Sequence, residues 1–99
     1  MKKREKIFLN LSEFGSAIGL NQLEKELIHQ KNLMIDHLKE IRAKKGLTQA
    51  ELARKAGTLQ PAIARMEAGQ VGEVSFDFLI RVAIALGISL EVSSPKKAA

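Results

Sequence analysis

The chain is 99 residues long, contains no cysteine, tryptophan or tyrosine, and has a formal net charge of +5. That length fits one domain. The missing cysteine excludes disulfides, thiol catalysis and Cys-ligated zinc, and four phenylalanines as the only aromatic residues argue against a stacking platform for single strands. Positive charge is concentrated: residues 42–65 sum to +5, whereas 7–41 sum to −2 and 66–95 to −3. A central basic stretch flanked by acidic ones is the electrostatic footprint of a polyanion-binding surface, or simply a solvated basic face.

The opening run Lys2, Lys3, Arg4, Lys6 is charged like the start of a signal peptide. The apolar stretch after it is broken by Asn10, Ser12 and Glu13, so no signal core forms. Phe76–Val92, the most apolar region, is interrupted by Asp77 and Arg81 and is not expected to span a membrane. The expected location is cytoplasmic.

Ile7, Leu9 and Leu11 alternate as a short strand does. Asn21 with Glu24 three residues on predicts a helix start, and Leu23, Leu27, Met34, Leu38 and Ile41 share one helical face. The predicted helix covers 22–45, in one piece or two, and stops at Gly46. Thr48 with Glu51 predicts the cap of a short helix over 48–56, ended by Gly57. A third helix is expected over 60–68, with Pro61 in its first turn and Ile63 and Met66 facing inward. Residues 70–74 read as a loop. Ser75 caps a nearly all-apolar helix over 76–86 with Asp77 in its first turn, and Ile88, Leu90 and Val92 alternate as a strand. The division expected is an N-terminal extension (1–20), a domain (21–92) and a disordered tail (93–99).

Helix 48–56, the turn Gly57-Thr58-Leu59 and helix 60–68 form a helix-turn-helix pattern lying on the basic segment. In such a unit the second helix enters the major groove and the first crosses the backbone. Gln60 and Arg65 are then the base readers, with Pro61 and Ala62 available to a thymine methyl. Gln49 is placed for phosphate at a helix N-terminus beside Thr48. Lys45, Arg54 and Lys55 supply backbone contacts or long-range attraction.

The run Leu47 to Gly69, with its Thr48-Gln49, Glu51-Leu52-Ala53, Gly57 and Glu67-x-Gly69 landmarks, resembles the Cro/C1-type (XRE-like) helix-turn-helix family. With Ser75–Leu90 the likeness runs on to the C-terminal apolar segment. It implies an all-α, lambda-repressor-like DNA-binding domain, here with a short C-terminal strand and a preceding extension, and it implies that Gln49, Gln60 and Arg65 lie at the DNA face. Phe14, Gly19 and Leu20 ahead of a long helix, and the apolar strand after Leu86-Gly87, resemble HigA-type antitoxins. That branch implies an autorepressor paired with a toxin. The alternatives are a phage-type or stand-alone repressor, and a helix-turn-helix fold kept only for protein interaction.

Two departures stand out. The family commonly has Ser or Thr where Leu59 stands, and losing that capping oxygen costs about 1 kcal/mol; Thr58 could cap instead, which would make Pro61 the third helical residue. Base-reading side chains are also few, which shifts specificity toward Gln60, Arg65 and DNA shape. His29, His37 and Glu40 are too few for a metal site, no catalytic or phosphate-loop motif is present, and neither enzyme activity nor a cofactor is expected. Glu67 reads as a structural ion pair or hydrogen bond, and of Phe76 and Phe78 at least one reads as core. A lone strand at 88–92 needs a partner. It could pair with 7–11 of its own chain or, the favoured expectation, antiparallel with a second copy, making Ile88, Leu90 and Val92 the dimer interface and spacing two recognition helices about one DNA turn apart.

Overall fold

A computed structural model describes residues 6–10 and 20–93 of the chain. The order is β1 (Lys6–Asn10), α1 (Leu20–Lys44), α2 (Gln49–Ala56), α3 (Gln60–Glu67), a 3-10 turn at Val71–Glu73, α4 (Phe76–Ala85) and β2 (Ser89–Ser93). It is the mostly helical architecture expected for a helix-turn-helix domain.

Local signals acted where they stand. At Thr48 the capping box is complete: its Oγ1 accepts from the Glu51 N–H at 3.0 Å, and its own N–H donates to Glu51 Oε1 at 2.8 Å. Gly57, at φ 70°, turns the chain left-handed, which only glycine does without strain. There the Thr58 N–H returns to the Ala53 carbonyl at 2.9 Å and closes α2. Ser75 caps α4 through the Phe78 N–H at 3.1 Å. At the α3 entry the capping residue is Leu59, with no side-chain bond, and Pro61 falls in the first turn. The cap by Thr58 does not form.

α1 is one continuous helix, starting at Leu20. Asn21 therefore lies inside its first turn rather than ahead of it. Its apolar stripe is covered only in the C-terminal half: Met34, Ile35, Leu38 and Ile41 are buried, Leu23 is half-buried, and Leu27 and Ile28 are exposed. The core joins these residues to Leu52, Ala53, Ala56, Ile63, Met66, Leu79, Val82, Ala83 and Leu86. Phe76 and Phe78 both pack against it half-buried. Residues 70–74, expected as a loop, contain a 3-10 turn that buries Val71 and Val74.

The strand finds a partner within its own chain, the alternative to the favoured pairing with a second copy. β2 pairs with β1 of the same chain, in parallel, with Ile7 opposite Leu90 and Leu9 opposite Val92. Ile7 and Ile88 are buried, and Leu90 packs half-buried on the same core. The physical reason is that β1 satisfies one edge of β2 while its Ile7 fills the core space beside Leu90. The segment expected as an extension thus contributes Lys6–Asn10 to the fold.

Candidate nucleic-acid interface

α2 and α3 are eight residues each and too short to hold alone. They are set against α1 by buried apolar contacts and by one polar chain. Arg42, near the end of α1, donates through Nε to Glu67 Oε2 at 2.6 Å and through Nη2 to Glu67 Oε1 at 3.0 Å. Its Nη1 also donates to the Leu47 carbonyl at 2.6 Å. One guanidinium therefore ties α1, the turn before α2, and the end of α3. The Glu67 side chain is 3% exposed and that of Arg42 16%. Burial pushes the Glu67 carboxyl up, but the hydrogen bonds from Arg42 and Gln49 and the charges of Arg42 and Lys39 outweigh it and hold it below the usual carboxylate range. The hydrogen bond to Glu67 raises Arg42 in turn.

The chain of bonds continues outward. Gln49 Nε2 donates to Glu67 Oε1 at 3.0 Å, and Gln49 Oε1 accepts from Gln60 Nε2 at 2.8 Å. Gln49, expected as a phosphate ligand, is half-buried and held between Glu67 and Gln60, the first residue of α3. The two glutamines are the expected site residues brought into direct contact. Glu67 has the structural role expected of it. Its partner Arg42, counted in the sequence only as part of the basic stretch, is the residue that sequence reasoning missed. Nothing short-range marks Arg42, which lies 25 residues from Glu67.

Around this contact, Gln60, Pro61 and Arg65 are exposed and Ala62 is half-buried. Arg65 and Ala62 line a groove of about 320 Å³ with Thr58, Glu73, Val74, Ser75 and Phe78, between α3 and the start of α4. Lys45 and Thr48 are exposed at the turn into α2. Arg54 and Lys55 lie apart, sharing a shallow hollow with Leu47 and Glu51 on the outer side of α2. Both lower the Glu51 carboxyl electrostatically, after the larger effect of its bond from the Thr48 N–H. Leu59 stands 75% exposed at the head of α3.

His29 and His37 are exposed, and among the described residues no group of three or more His, Cys, Asp or Glu is arranged to hold a metal. No described helix is long and apolar enough to cross a membrane. A helix-turn-helix family model matches residues 38–92. No curated protein and no solved structure matches the chain.

Proposed function

This chain belongs to the XRE-type helix-turn-helix family of DNA-binding transcriptional regulators, since the match covers more than half its length, and from that premise we propose that it is a repressor that reads a specific duplex operator with α3. The observation that carries the reading is the exposed edge of α3, where Gln60 and Arg65 stand free of the core on a helix whose other face holds Ile63, Met66 and Glu67. Glutamine matches the adenine edge and arginine the guanine edge in the major groove; the Pro61 ring and the Ala62 methyl suit thymine. Lys45, Thr48 and the N-terminus of α2 are assigned to phosphates, and Arg54 and Lys55 to the long-range field. A duplex selected from a random-sequence pool tests this. The logarithm of the affinity should fall linearly with the logarithm of salt. Arg65→Ala should weaken the selected site by about 1–3 kcal/mol and relax one base position, and Lys45→Ala should weaken all sequences alike and reduce the salt slope by about one. Unchanged binding in both variants refutes the assignment.

The finer role is that of antitoxin and autorepressor in a toxin–antitoxin pair, acting as a homodimer. Support for a protein partner comes from Leu27, Ile28 and Leu33, all at least 36% exposed on α1 within the acidic segment 7–41. Pull-down with the product of the adjacent gene tests it, and a harmless neighbour that does not bind points to a stand-alone repressor. For the homodimer, Ile88 and Leu90 are engaged in their own core, so the second copy is better accommodated on α4. There Ile80 is 39% and Ile84 66% exposed, in a hollow that Asp77, Arg81 and Lys55 also line. Sedimentation discriminates the two surfaces: Ile84→Asp should yield monomers if α4 is the interface, and Leu90→Lys should do so if the strand is.

A further inference from the structure

We infer that the N-terminal half of α1 in one copy of the chain packs into the hollow between α2 and α4 of a second copy. The inference rests on the homodimer reading above and names what the second copy sets against α4.

Two apolar surfaces of this chain lack cover. Leu27 and Ile28 stand two helical turns before Met34 and Ile35 and share their face of α1. Met34 and Ile35 are buried there, whereas Leu27 and Ile28 are exposed. The core-facing side of α1 thus runs on, as a ridge, beyond the part that the other helices cover. The second surface is concave: a hollow of about 470 Å³ in which Ile80 and Ile84 are exposed, lined also by Ala56 and Ala85. Two such hollows set face to face would enclose a void whose lining loses its contacts, and a ridge is what fills one.

Charge excludes the pairing of ridge with ridge. Glu24, four residues before Ile28, and Glu26, three after Leu23, flank the ridge on its two sides. Glu26 is held there by the bond from Gln30 Nε2 at 2.9 Å. The lysines of this stretch are turned elsewhere. Lys25 is two residues from both Leu23 and Leu27 and so falls on the far side of the helix. Lys31 Nζ donates to the Val71 carbonyl at 3.5 Å and lies 5.7 Å from the centre of the Phe76 ring. Ridge against ridge therefore sets acid near acid. The hollow has the opposite balance, with Lys55 and Arg81 against Asp77, and Arg54 adjoins Lys55. Charges of this kind add little affinity, but they select which surfaces meet. In a two-fold dimer, where residue i meets j and j meets i, the contact occurs twice. A protein partner docking on Leu27 and Ile28 would have to displace the second copy.

Sedimentation of the full chain over a range of concentrations is the test, with two charge-altered variants. The α1 variant carries Glu24→Lys and Glu26→Gln, the second change keeping an acceptor for Gln30. The hollow variant carries Lys55→Glu and Arg81→Glu. Each alone should weaken dimerisation by about tenfold or more. Mixed in equal amounts they should form a mixed dimer, because each supplies the charge that the other lacks. Thermal melting confirms that both are folded, and Ile28→Asp, at an exposed position, replaces the α1 variant if that one is not. An α1 variant or a hollow variant that dimerises like the wild type, or a mixture that stays monomeric, overturns the α1-to-hollow contact while leaving the homodimer reading intact. A wild type that stays monomeric throughout overturns the homodimer reading itself.

Discussion

Replacing Arg42 by methionine should damage the motif severely. It leaves the Glu67 side chain, 3% exposed, with Gln49 as its remaining hydrogen-bond donor. Removing one partner of a buried ion pair costs about 3–5 kcal/mol. Arg42 is itself 16% exposed, so water reaches part of the vacated space and the low end of that range applies. The Leu47 carbonyl also loses its 2.6 Å donor, which adds about 1 kcal/mol where solvent does not replace it. A loss of about 3–4 kcal/mol is expected for the single variant. In a domain of this size that lowers the melting temperature by roughly 12–30 °C. Arg42→Met with Glu67→Met should recover most of the loss, because two apolar side chains of similar volume leave no charge unpaired. The cycle should therefore report a coupling of about 2–3 kcal/mol. Urea unfolding followed by far-ultraviolet circular dichroism is the assay, since there is no tryptophan or tyrosine to give a fluorescence signal. An Arg42→Met loss below about 1 kcal/mol, or a double variant whose loss is the sum of the singles, refutes the reasoning.

The Glu67 carboxyl titrates lower in the folded chain than when unfolded. Its contribution is therefore complete above the unfolded value of about 4.3 and is lost as pH falls through the lower folded value. Acid titration of stability should show that loss, and Glu67→Gln should flatten it; an unchanged acid limb in the variant contradicts the assignment. Leu59→Ser supplies the missing cap at a side chain that is 75% exposed and loses little burial. It should raise stability by about 0.5–1 kcal/mol, whereas an unchanged or lower melting temperature counts against it. Ile7→Ala removes a buried side chain opposite Leu90 and should cost about 2–4 kcal/mol at every protein concentration. A loss that grows on dilution would show that the strand pairs between copies.

The sequence by itself determined the helices of the motif and the boundaries between them. Thr48 with Glu51, Gly57, and Ser75 ahead of α4 each act over four residues or fewer, where the chain has few alternatives and the cap bond is decided by side-chain chemistry. The inward faces of α2 and α3 followed from helical periodicity for the same reason, whereas α4, apolar nearly all round, offered no such face and leaves Ile80 and Ile84 exposed. Tertiary structure decided the rest. Whether β2 would meet β1 or a second copy could not be read from alternation, because both offers satisfy the same backbone groups. The packing of Ile7 into the core is what brings β1 to one edge of β2. Gln49 and Gln60 were legible as polar residues at helix starts, and Glu67 as a structural acid. That they join in one relay ending on Arg42 depends on three helices converging, and charge counting cannot tell a guanidinium in the core from one in solvent. Local bonds are encoded where they form; the partner of a buried charge is encoded only in how the helices pack.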